Sequence, residues 1–402
     1  MSDLLNQAIQ STDRSVCAFC RYITGNDTGK TGSHQAGFYI PKEAARLLFD
    51  KPVQKGENKD KYVTIKWQND FQTESRFIYY GKGTRNEFRI TRFGRGFPLL
   101  DDDHVGDLLI LAQQDEEDYD GFVLSADEDI DGFLAYYNLS PEDTNKLIDN
   151  NEKKVPEDKL SVLMDSFVSR FSDFPDTITM ASGARDCYNE AFHISERDIA
   201  GKPDRILLQW VDAEYTLFQK MEEKIYTPLL HKSFSNVAEF TEAANQILNR
   251  RKSRAGKSLE HHLASVFDAS HIVYEEQVIT EDNKKPDFIF PDGKSYHDFE
   301  FPADLLISLA AKTTCKDRWR QVISEADRIP EKHLFTLQQA ISKNQLKEMK
   351  DSHVHLVVPQ KYIGNYPEEY QSEIWNLQTF INFVRTKQAN TPKSFFFFDF
   401  RQ

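Results

Sequence analysis

The chain has 402 residues, 39% of them hydrophobic and 28% charged, with a formal net charge of -14. This length points to two domains, and this balance to a soluble globular protein rather than a disordered or fibrous one. No apolar run reaches the roughly 18 to 20 residues of a membrane span, and the first residues lack the basic start and apolar core of a secretory leader.

Four cysteines in so long a chain suit a reducing cytoplasm. Cys17 and Cys20 form a CxxC with no second pair to complete a zinc site, so they read as two ordinary thiols. Short strands separated by Gly, Asp and Asn clusters are predicted at 36–40, 62–67, 75–80, 88–92 and 108–112, a mostly β unit and plausibly a barrel. GNDTGKT (25–31) has three residues between its glycines where a phosphate-binding P-loop needs four, and no apolar helix follows it. The charge is unevenly spread: thirteen acidic residues fall between 101 and 131, whereas 82–95 holds five bases against one acid and 250–257 five against none. Local basic patches, not the total, decide nucleic-acid binding. A solvated face accounts well for the acidic block and less well for the basic ones.

The polar stretch 139–161 carries two Pro-Glu-Asp triplets and marks the passage between domains. The division expected is a first domain at 1–150, a linker at 151–170 and a second domain at 171–402. Helices are predicted at 206–230, 237–248 and 259–267, the last with an apolar stripe of Leu259, Leu263, Val266 and Phe267. Strands are predicted at 272–279, 287–290, 296–301 and 305–312, then a helix at 316–328 and strands at 333–337 and 353–358. Such mixed alternation around one sheet is an α/β domain.

Asp287 opens the apolar run Phe288, Ile289, Phe290, which places its carboxylate at a strand end, where a metal ligand is rigidly held. Asp292, followed by Gly293, suits a tight turn instead. Lys312 ends the run of apolar and small residues 305–311. It is either a snorkelling strand end or a catalytic ammonium that holds a scissile phosphate. An acid two residues before that lysine is the usual nuclease signature, but here the position is Ala310, and Glu325 on the next helix is the replacement. Trp319, Val322, Ile323 and Ala326 form that helix's buried stripe and leave Arg318, Gln321 and Glu325 on another face. Two acids and a lysine are what Mg2+-dependent phosphodiester hydrolysis needs. Glu260, on the 259–267 helix, is a third acid for the metal or equally a surface glutamate. Lys316, Asp317 and Arg318 suit G·C base edges, because Lys and Arg donate to guanine and a carboxylate accepts from cytosine. A solvated helix start has the same composition. His261 and His262 are adjacent and do not share a helix face, so they read as core or surface histidines.

At NRRKSRAGKSLE (249–260), NKKPDFIFP (283–291), KTTCKDRWRQ (312–321) and HLFTLQ (333–338) the chain resembles the catalytic domain of the EcoRII-type restriction endonucleases. NDTGKTGSHQAGFYIP (26–41) and TRNEFRITRFGRG (84–96) resemble that family's N-terminal effector domain. The resemblance implies a first domain shaped as a pseudobarrel like the plant B-three fold, with DNA-gripping arms that carry Arg21, His34, Arg85, Asn86, Glu87, Arg89, Arg92 and Arg95. Phe93 stands where relatives carry tryptophan. It implies a second domain of the PD-(D/E)XK restriction-endonuclease-like α/β fold, homodimeric, centred on Asp287, Lys312 and Glu325. It also implies Tyr296 near the active site and Tyr215 near an extruded base. The activity implied is that of a prokaryotic cytoplasmic, Mg2+-dependent Type IIE enzyme. It would cut double-stranded CCWGG-type sites (W being A or T) and need a further site bound by effector domains that otherwise cover the cleft. The alternative is a sequence-specific DNA-binding regulator without cleavage.

Overall fold

A computed structural model describes residues 2–28, 37–49, 53–148, 158–231 and 233–391, without the side chains of 158 and 253–256. Two compact units emerge. One takes Met1–Lys154, Gln338–Leu346 and Gly364–Gln371, and the other Val155–Leu337, Lys347–Ile363 and Ser372–Gln402. Among the described residues no helix is long and apolar enough to cross a membrane.

The first unit runs α1 (Asp3–Arg14), β1 (Cys17–Tyr22), β2 (Phe38–Ile40), β3 (Lys59–Trp67), β4 (Phe71–Tyr80), β5 (Glu87–Thr91), β6 (Leu108–Gln113), β7 (Asp118–Leu124), α2 (Asp127–Tyr136) and β8 (Leu147–Ile148). All eight strands join one sheet, ordered β2-β5-β4-β3-β7-β6-β1-β8. Its pairs are antiparallel except β3 with β7. Every residue of β6 is buried, because the strand is covered on both faces. Leu109 and Leu111 meet Phe19, Ile65 and Phe77 on one side. Leu108, Ile110 and Ala112 meet Leu5 and Ile9 of α1 and Ile130 and Phe133 of α2 on the other. Alternation along a strand sends neighbours to opposite faces, and each such side chain contributes about 2 kcal/mol of burial. The same alternation separates Cys17 from Cys20, which pack into different clusters.

In the second unit the polypeptide runs α3 (Asp158–Ser169), α4 (Thr177–Phe192), α5 (Glu196–Gly201), α6 (Pro203–Leu230), α7 (Val237–Ala269), β9 (Glu275–Glu276), β10 (Phe288–Phe290), α8 (Gly293–His297), β11 (Ile307–Lys312), α9 (Trp319–Ile323) and β12 (Lys332–Thr336). After these come α10 (Lys343–Asp351), whose first turn counts with the first unit, β13 (Val354–Val357), α11 (Glu368–Gln371), which belongs to the first unit, and α12 (Leu377–Ala389). The sheet order is β13-β12-β11-β10-β9. β10 pairs antiparallel with β11, whereas β11, β12 and β13 are parallel. The ring of Phe267 on α7 packs edge-on against Phe288 and Phe290, 5.3 Å between centroids in each case, so the predicted stripe of α7 does face the sheet.

Several local expectations fail here for identifiable reasons. Residues 158–169, expected as linker, form α3, which buries Met164 and Phe167. The two helices at 237–248 and 259–267 are one helix, because the basic run between them contains nothing that stops it. The strand at 272–279 shrinks to Glu275–Glu276, since Gln277 turns to φ 55°. The strand at 296–301 is replaced by α8, which Asp292 caps by accepting from the Ser295 amide at 2.6 Å. Finally, the helix expected at 316–328 is only α9. Arg318 is its N-cap, and Glu325 lies past its C-cap, so the two do not share a helix face.

Candidate active site and DNA-contacting residues

Asp287 precedes β10, and Lys312 ends the neighbouring β11, so the antiparallel pairing of the two strands brings them together. Lys312 Nζ donates to Asp287 Oδ2 at 3.2 Å. The same oxygen accepts from the buried Ala311 amide at 2.7 Å, which fixes the carboxylate to the sheet. Small residues at 310 and 311 leave room for this approach. Gln277 completes the link: its side-chain amide donates to Asp287 Oδ1 at 3.3 Å and to Glu260 Oε2 at 3.2 Å. Nothing in the sequence marked Gln277, whose position depends on its left-handed φ of 55°.

Glu260 and Glu325 complete the group electrostatically. Burial, then the Asp287 charge, pushes Glu260 up to about 7, against the opposing pull of Lys312. Glu325 also rises to about 7: burial drives it, Lys312 opposes, and Asp287 adds to the rise. Too many acids for one lysine in a partly dry site is the condition a hard divalent cation relieves, and oxygen is the donor it prefers. The donor chemistry therefore fits Mg2+. Among the described residues, however, no three His, Cys, Asp or Glu side chains already stand as a metal cage. Asp287 is instead turned to Lys312 and the Ala311 amide.

The other expected residues fall into distinct settings. Tyr296 is buried, and its hydroxyl donates to Glu281 Oε2 at 2.5 Å. Lys316, Asp317 and Arg318 form the turn between β11 and α9. Asp317 is exposed, Arg318 is half-buried with a guanidinium bond to Thr314 Oγ1, and Lys316 is only 7% exposed. Tyr215 is half-buried in mid-α6. His262 is fully buried with Nε2 2.7 Å from Glu214 Oε2, which decides between the core and surface readings in favour of the core.

In the first unit Arg85, Asn86, Arg92 and Arg95 are exposed, and Glu87 and Arg89 are half-buried on β5. The guanidiniums of Arg85 and Arg92 lie over the rings of Tyr80 and Tyr62 at 5.4 and 5.3 Å. Arg21 is a correction. Only 4% exposed, it pairs with the buried Asp27 at 3.0 Å and donates to the Tyr39 carbonyl, so its charge serves the interior rather than a DNA face. His34 lies outside the described residues. Phe93 is buried in an aromatic cluster and stacks on Phe97 at 4.7 Å, a packing role that phenylalanine fills fully.

Two domains, the second with acids and a lysine gathered at the end of paired strands in a mixed sheet, form the architecture of a restriction-endonuclease class. The family described as "EcoRII C terminal" matches residues 218–381, and "Restriction endonuclease EcoRII, N-terminal" matches residues 12–145. "Type II restriction enzyme EcoRII" of Escherichia coli is 36% identical over 420 residues, covering 98% of this chain and 100% of its own. Among solved structures, "Metal-depleted Ecl18kI in complex with uncleaved, modified DNA" shares 18% identity at a TM-score of 0.46, over 58% of this chain and 85% of that one. "Restriction endonuclease PspGI-substrate DNA complex" shares 16% at 0.43, over 54% and 94%. The chain belongs to the EcoRII family of Type II restriction enzymes.

Proposed function

We propose that the chain is a cytoplasmic, Mg2+-dependent endonuclease that cuts both strands of a CCWGG-type DNA site and is regulated by a second site bound at its first unit. The observation that carries this is the bonded Asp287–Lys312 pair flanked by two carboxyls raised to about 7.

Asp287 and Glu325, with Glu260 as a third acid, would hold the ion. Mg2+ in such a site neutralises charge on the phosphate and makes bound water more acidic. The Ala311 amide keeps one Asp287 oxygen fixed while the rest of the group adjusts. Lys312 would exchange its bond to Asp287 for one to a non-bridging phosphate oxygen and so stabilise the charge that develops there. Glu260 and Glu325, raised to about 7 without metal, would give up their protons as the ion binds and relieves the crowding of acids. Lys316, Asp317 and Arg318 follow Lys312 closely in the chain, so base reading and cutting would be coupled over a few residues. Lys316 must come out of its buried setting to take part. Tyr215 would sit beside a base drawn out of the duplex.

The first unit would be a B-three-like pseudobarrel that grips DNA through the exposed Arg85, Asn86, Arg92 and Arg95, with Glu87 and Arg89 on β5 between them. The second unit would pair with another copy, so that one assembly engages two or more sites. Plasmid DNA carrying several candidate sites, incubated with Mg2+ or with EDTA, tests the proposal. Discrete fragments with sequence-defined ends are expected only with Mg2+. Specific binding without cutting would establish the regulator instead.

A further inference from the structure

The chain reverses just after Glu325 in a way that costs energy and is held by side chains from elsewhere. Ala326 is fully buried and sits at φ 50°, a left-handed conformation that disfavours a residue with a Cβ. It persists only where the surroundings impose it. Glu281 Oε2 accepts from the Asp327 amide at 3.1 Å and from the Tyr296 hydroxyl at 2.5 Å. The Arg328 amide donates to that hydroxyl at 3.4 Å, and its guanidinium donates to the carbonyls of Ser295, Tyr296 and Phe301. From the other side, Lys332 donates to the carbonyls of Ala326 and Ile329. Glu281 lies on the segment that leads into Asp287, whereas Asp327 follows Glu325 by two residues. One carboxylate oxygen thus ties together the segments that carry the two principal acids.

We propose that Glu281 and Tyr296 are positioning residues that form a latch, holding the Ala326 turn so that Glu325 stands ready beside Asp287 and Lys312. This rests on the metal-dependent cleavage proposed above. Tyr296 acts through Glu281 rather than on the substrate, because its hydroxyl is spent on that bond. The latch sets ligand geometry without touching DNA, so its loss raises the Mg2+ requirement and leaves DNA affinity alone.

The test uses the full chain with Tyr296→Phe, Glu281→Ala, their double variant and Glu281→Gln, whose amide carbonyl still accepts both bonds. Tyr296→Phe and Glu281→Ala are each expected to raise the Mg2+ midpoint of single-turnover cleavage about tenfold. Specific DNA affinity measured in Ca2+ is expected to stay within about twofold of the parent. Glu281→Gln is expected near the parent, and the double variant well short of the product of the two single effects, since the two residues have one of their bonds in common. Parental midpoints in both single variants, an additive double, or a loss confined to DNA affinity overturns the latch. Hydrogen exchange of the peptide covering 324–329 in metal-free protein judges it separately. Exchange there should quicken about tenfold in Tyr296→Phe but not in Glu281→Gln, and unchanged exchange also overturns it. If the parent protein itself fails to cut, the proposed activity falls, and exchange alone decides the latch.

Discussion

Glu325→Gln should make the metal-free protein more stable while making it inactive, and the size of the gain follows from the site. A carboxyl moved from 4.5 to about 7 carries about 3 kcal/mol against its ionised form, and at this half-buried position solvent screening trims that to about 2 kcal/mol. The folded-state value is raised, so the folded protein holds the proton more tightly than the unfolded chain does. The resulting stability is fully present below 4.5 and is lost as pH rises through about 7. Glutamine carries no charge and escapes that loss. Urea unfolding in EDTA can be followed by tryptophan fluorescence, since three of the four tryptophans (Trp210, Trp319 and Trp375) lie in the second unit. The variant should exceed the parent by about 2 kcal/mol at about pH 8 and by nearly nothing at about pH 4.5. Mg2+ should then narrow the gap by stabilising only the parent. An equal difference at both pH values, or a less stable variant at about pH 8, would refute the claim that Glu325 is held ionised at a cost beside Asp287.

Four further substitutions separate the roles of other residues. Lys312→Ala should slow cleavage by about a hundredfold or more, with specific binding in Ca2+ preserved, and ordinary turnover would remove Lys312 from the active site. Arg318→Ala should cost roughly 1 to 3 kcal/mol of discrimination at one G·C pair, measured by competition between cognate and single-mismatch duplexes. Arg21→Ala should destabilise the first unit by about 3 to 5 kcal/mol by stranding the buried Asp27, whereas Arg95→Ala should leave melting within about 0.5 kcal/mol and lower the salt dependence of DNA binding by about one counterion. Normal melting of Arg21→Ala would count against its interior role.

Much of the site could be read along the chain because strand ends announce themselves. The apolar run after Asp287 and the small-residue run before Lys312 are strand signals, and each places one polar group at a boundary. α1 is equally legible, with Leu5, Ala8, Ile9 and Thr12 at helical spacing behind the cap Ser2. β7 and α2 were hidden in the acidic block, where charged residues on exposed positions mask the buried Phe122, Val123, Ile130 and Phe133.

The sequence by itself determined which residue types stand at the ends of β10 and β11, and its matching blocks in both halves placed it in the EcoRII family. Only the tertiary structure decided that Arg21 faces inward, that α9 stops after five residues, and that Gln277 and Glu281 join the acids. Spacing along a chain encodes faces of regular elements. Burial, a left-handed turn or a hydrogen bond between segments far apart depends on neighbours that only the folded chain supplies.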